Sequence, residues 1–99
     1  MRISEFEKEV IITSIGKNFN EVEKIILFGS RIDDSKRGGD IDVLLITSDD
    51  DTFIKKIHAL TDMQLRLGEQ RIDLLTANAA DERLIVKKGK REGVVLWTK

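Results

Sequence analysis

Two short apolar runs, residues 25–28 and 43–46, are joined by a loop that opens with Gly29-Ser30 and closes with Gly38-Gly39-Asp40-Ile41-Asp42. Apolar runs of this length, bounded by glycine and charge, read as strands covered on at least one face. This limits the chain to folds in which two buried strands are joined by a compact polar loop. Side chains alternate along a strand, so Asp40 and Asp42 share one face with Cα atoms about 6.5 Å apart, while Ile41 and Val43 share the other. Two carboxylates about 5 Å apart repel by about 3 kcal/mol at an effective dielectric near 20. Folding alone gives no reason to build such a pair beside a hydrophobic strand. A divalent cation gives one, because Mg²⁺ takes one or two carboxylates together with phosphate oxygens and water. Two such ions can clamp an in-line phosphoryl displacement. Gly29-Ser30 suits the other half of that chemistry. Glycine lets a phosphate approach the backbone, and serine supplies an N–H and a hydroxyl.

Gly29-Ser30, then the loop 31–39, then Asp40-Ile41-Asp42 between apolar residues resembles the signature of the DNA polymerase beta nucleotidyltransferase superfamily. Leu27-Phe28-Gly29-Ser30-Arg31 and the closing Arg91-Glu92-Gly93-Val94-Val95-Leu96-Trp97 are similar to its minimal nucleotidyltransferase branch. The resemblance covers almost the whole chain. In two places the chain departs from the pattern. The loop after Ser30 is at the short end of the family's range, and Asp33 stands where many relatives carry a second arginine.

The resemblance implies an α+β fold of the polymerase beta-like kind, a single domain over residues 1–99. It implies Mg²⁺-dependent transfer of a nucleoside monophosphate, AMP from ATP, to a hydroxyl acceptor, with two Mg²⁺ ions. Asp40, Asp42 and Asp73 would be catalytic and hold the metal, Asp73 lying nearest the attacking hydroxyl. Gly29, Ser30 and Arg31 would hold the triphosphate. A chain this short has no room for a second domain to grip base or acceptor, so a partner completes the site. In the minimal branch that partner is a helical HEPN-type toxin, and the transferase is its antitoxin; a second copy of the chain is the other choice. A rival reading keeps the fold but makes the protein a weakly active or inactive module that neutralises its partner by binding.

Composition narrows the alternatives. A net charge of −1 argues against duplex DNA or RNA as the main partner, since phosphate binding shows as a basic excess. There is no cysteine, hence no disulfide framework or thiolate metal site, which fits a reducing cytoplasm. The acidic start, Ile3-Ser4-Glu5-Phe6-Glu7, is unlike a signal peptide, and no apolar run approaches the roughly 20 residues of a membrane span.

The remaining pattern predicts a helix over about 3–17, starting at residue 5 if Ser4 and Glu7 form a capping box. A second helix is expected over about 51–67, capped in the Asp49-Asp50-Asp51 stretch and stopped by Gly68. A strand over 71–75 places Ile72 and Leu74 on one face and Asp73 on the other. A short helix from Ala79 to about Lys88 and a strand over 94–97 complete the chain. The expected result is a mixed sheet with helices on one face, leaving the other open for the carboxylates. Phe53 and Trp97 read as core residues, and His58 as structural or solvated. Lys36 and Arg37 read as loop charges, and Lys87, Lys88, Lys90 and Arg91 as a solvated helix end.

Overall fold

The computed structural model describes residues 3–29 and 40–99. In chain order the elements are α1 (Glu5–Asn18), β1 (Val22–Phe28), β2 (Ile41–Thr47), α2 (Thr52–Leu67), β3 (Ile72–Ala77), α3 (Leu84–Glu92) and β4 (Val94–Thr98). The four strands form one sheet in the order β3-β2-β1-β4. β1 runs antiparallel to both β2 and β4, whereas β2 and β3 are parallel. A parallel pair needs a long crossover, and α2 supplies it.

α1 begins where its capping chemistry dictates. Ser4 Oγ accepts from Glu7 N–H at 3.0 Å, and Ser4 N–H donates to Glu7 Oε1 at 2.8 Å. Val10, Ile11 and Ile15 on α1 and Ala59 and Met63 on α2 bury one face of the sheet, packing on Ile25, Leu27, Ile41, Val43, Leu45, Ile72, Leu74 and Leu96. Gly68 ends α2 at a φ of 73°, as its lack of a Cβ allows.

Four expectations need correction. First, Asp51 does not cap α2 with its side chain; it sits at the N-cap position with a φ of 53° and accepts no capping hydrogen bond. The carboxylate of Asp49 is instead drawn inward, 1% exposed, onto Asn20 N at 2.9 Å, Glu21 N at 2.6 Å and Lys55 Nζ at 2.6 Å. Backbone donors at the α1–β1 turn outcompete the helix end for it. Second, α3 begins at Leu84 rather than Ala79. Asn78 Oδ1 accepts from Ala80 N–H, and Asp81 Oδ1 from Arg83 N–H, so residues 78–83 are held in side-chain-bonded turns. Third, α3 lies against the sheet face opposite α1 and α2. Val86 joins Ile26, Leu44, Ile46 and Ala77 there, and a Cβ added at Gly89 would lie 3.0 Å from Leu44 Cδ2. The two long helices share one face, as expected, but the second face is partly covered. Fourth, Phe53 is 70% exposed and Trp97 37% exposed, so neither is a core residue. Phe53 lies in the first turn of α2 and Trp97 on the edge strand β4, where helical or alternating spacing continues beyond the region that the core covers.

Candidate active site

The strand ends place the carboxylates. β1 and β2 pair so that Phe28 stands opposite Asp42, which puts Gly29 beside Asp42 as the chain leaves β1. β2 and β3 pair so that Ile41 stands opposite Ile72 and Asp42 opposite Asp73. Ile41 and Ile72 point into the α1/α2 core. Alternation therefore sends Asp42 and Asp73 out on the α3 face, at an end of the sheet that lies beyond Leu44. β3 is an edge strand, so Asp73 stands at the exposed margin of this patch while Asp42 is half-buried inside it.

Charge follows from that placement. Burial pushes the Asp42 carboxyl above the ordinary value, and the charge of Asp73, then that of Asp40, then a hydrogen bond to the Asp73 side chain add to the rise. Neighbouring carboxylates repel, which favours a proton or a cation beside them. Asp40 lies at the near edge, its Oδ2 at 3.8 Å from Arg71 Nη1. Among the described residues, no three or more His, Cys, Asp or Glu side chains are drawn together into a closed metal-binding group. Asp42 instead feels two carboxylates, Asp73 across on the next strand and Asp40 two residues before it.

Gly29 has a φ of 77°, and a Cβ added there would overlap Asp42 Oδ2. Both facts require glycine: L residues are strained at that φ, and the space above the backbone is taken by the carboxylate. The strand therefore ends in bare backbone next to the Asp42 carboxylate. Asp42 thus neighbours Asp73 across the strands and lies beside Gly29, with Asp40 two residues before it. Ser30 and Arg31 lie outside the described residues, as do Asp33, Lys36 and Arg37. His58 is exposed on α2, and Lys87, Lys88, Lys90 and Arg91 are exposed on α3. A cavity of about 380 Å³ lined by Ile12, Phe19, Ile25 and Trp97, among others, includes none of the three carboxylates. Arg71 is the residue at this site that the sequence reading passed over. Its spacing of two from Asp73 was the signal available.

Comparison with known proteins follows the same lines. The family described as polymerase beta, nucleotidyltransferase matches residues 10–99. No curated protein matches the chain. Among solved structures, the chain is similar to one in a toxin–antitoxin complex with AMP-PNP, at 21% identity and a TM-score of 0.71, covering 93% of this chain and 73% of that one. It is similar to a chain in a complex of tri-AMPylated Shewanella oneidensis HEPN toxin with MNT antitoxin, at 20% identity and a TM-score of 0.69, covering 98% and 74%. A third likeness is to the toxin–antitoxin MntA-HepT, at 19% identity and a TM-score of 0.67, covering 97% and 74%. At these identities the likeness speaks for the fold.

Proposed function

Since the chain belongs to the polymerase beta nucleotidyltransferase family, we propose that it transfers AMP from ATP to a hydroxyl group on a partner protein, in a Mg²⁺-dependent reaction. The observation that supports this reading is Asp42 set against Asp73 and beside Gly29, with the charge of Asp40 acting on it as well. The choice of ATP and of a HEPN-type toxin as acceptor is supported by the complexes to which the fold is similar, one with AMP-PNP and one with a tri-AMPylated toxin.

The donor set suits the ion. Among the described residues it is carboxylate oxygen, the hard donor that Mg²⁺ takes together with phosphate oxygens and water. Asp40 and Asp42 would hold it, with Asp73 sharing the inner position. When bound, Mg²⁺ neutralises phosphate charge and lowers the pKa of a nearby hydroxyl.

The protein's own groups account for the rest. Gly29 lets the chain turn tightly past Asp42 into the Ser30-Arg31 stretch, whose donors would hold the polyphosphate. Asp73, on the open edge strand, faces the side from which an acceptor can arrive. The acceptor oxygen attacks the α-phosphorus, the bond to the β-phosphate oxygen breaks, and pyrophosphate leaves. The hydroxyl proton passes to Asp73. Positioning and charge compensation supply most of the rate, as in phosphoryl transfer generally.

The test is to incubate the protein with ATP labelled in the adenylate moiety, Mg²⁺ and the protein that co-purifies with it from its own cell. Label should move to the partner, and Asp42→Asn should stop it. Tight partner binding with no label transfer, the same in Asp42→Asn, would replace the enzyme with a neutralising binding module.

A further inference from the structure

The register that sets Ile41 against Ile72 and Asp42 against Asp73 leaves Asp40 and Arg71 as the residues just before the two strands. Ile41 N–H donates to the Arg71 carbonyl at 3.0 Å, which locks the two strand starts together. With Ile41 and Ile72 both turned into the core, the residues on either side of them leave the sheet on the same face. The patch is therefore a two-by-two grid: Asp40 just before β2 and Asp42 on it, Arg71 just before β3 and Asp73 on it. One corner of it is positive.

The contact at that corner is loose. Arg71 Nη1 and Asp40 Oδ2 are 3.8 Å apart, too far for a hydrogen bond, and the two side chains are 76% and 38% exposed. An exposed, single-contact ion pair holds its partners weakly. The Arg71 backbone is tied to β2, so its side chain can leave Asp40 without moving the strand. Among the ion pairs of the described residues, this is the one that engages a carboxylate of the candidate site.

We infer that Arg71 is a positioning residue that acts as a replaceable counter-ion, shielding Asp40 in the nucleotide-free protein and giving it up to the incoming divalent cation. The inference rests on the reading of Asp40 as a metal ligand. A divalent ion attracts Asp40 more strongly than a screened guanidinium does, so the exchange runs forward when metal and nucleotide arrive together. The released guanidinium has the planar fork that matches phosphate oxygens. Premature metal loading is opposed, and the site charges with cation and nucleotide as a unit.

The test uses Mn²⁺ as the probe, its free concentration read by electron paramagnetic resonance, with no nucleotide present. Arg71→Ala and Arg71→Gln should each bind Mn²⁺ about fivefold more tightly than the parent protein, since one neighbouring positive charge is gone. Arg71→Lys should stay near the parent value. Lys17→Ala removes the same charge from α1, on the far side of the sheet, and should leave the affinity unchanged. Equal affinity in the parent and both neutral Arg71 variants would overturn the role of Arg71. So would an equal tightening in Lys17→Ala, which would mark a bulk charge effect. If the parent binds no Mn²⁺ even with ATP added, the metal-dependent reading itself fails, and this role falls with it.

Discussion

Asp42 and Asp73 stand opposite each other on parallel strands, and burial together with the charge of Asp73 pushes the Asp42 carboxyl above its ordinary value. Folding therefore makes the Asp42 carboxyl hold its proton more tightly than the unfolded chain does, and its charge at neutral pH is disfavoured.

Replacing that acid should therefore separate stability from function. The raised value at Asp42 means its favourable contribution is fullest below the unfolded carboxylate range near pH 4 and is lost as pH rises through the folded value. At neutral pH the charge is a burden. Asp42→Asn is expected to stabilise the metal-free protein by about 1 kcal/mol. A thermal melt at pH 7 checks this, and the gain should shrink at pH 4. The same variant should lose adenylyl transfer by about 10²-fold or more.

Gly29→Ala should do the opposite to stability. The new methyl would overlap Asp42 Oδ2, and the φ of 77° is unfavourable for alanine. A loss of about 1–3 kcal/mol is expected from strain and displacement together. Urea unfolding measures it. Nucleotide binding should weaken as well, which distinguishes this substitution from a simple loss in a remote turn.

Asp49 governs the acid limit of the fold. Burial alone would raise its carboxyl, but the donors from Asn20, Lys55, Thr47 and Glu21 outweigh burial and hold it well below the usual carboxylate range. Its stabilisation is therefore complete above the unfolded value near pH 4 and is lost as pH falls through the folded one. Asp49→Asn is expected to cost about 2 kcal/mol at pH 7, leaving Lys55 without its charged partner. The difference from the parent should narrow steadily below pH 4. A constant difference across that range would mean that Asp49 acts by shape rather than by charge.

Removing the capping box should be felt in α1. Ser4→Ala deletes the oxygen that accepts from Glu7 N–H and is expected to cost about 1 kcal/mol. Amide hydrogen exchange should rise in the first turn of α1 and stay unchanged at β2 and β3. A uniform rise through the chain would contradict the local role.

Local chemistry was readable in the chain itself. The capping box at Ser4 and Glu7, the stop at Gly68, the two buried strands and the alternation that exposes Asp73 all depend on neighbours within a few residues, where geometry leaves few choices. The pairing of Gly29 with the Asp40-Ile41-Asp42 stretch was legible because a single loop joins them. Other features depended on packing between distant segments. Periodicity carried Phe53 and Trp97 into an imagined core, because an apolar stripe does not state where its covering surface ends. The inward turn of Asp49 was decided by donors some 28 residues away, at Glu21. The residues of α3 are amphipathic in any setting, and only the assembled sheet determines which face they cover. Above all, the β2–β3 register was set through the α2 crossover. A shift of one residue would have put Asp73 beside Ile41 and turned the grid of Asp40, Asp42, Arg71 and Asp73 into unrelated side chains. The sequence determined which groups could do the chemistry; the tertiary pairing of two strands decided that they meet, because only burial of Ile41 and Ile72 on a common face holds that register.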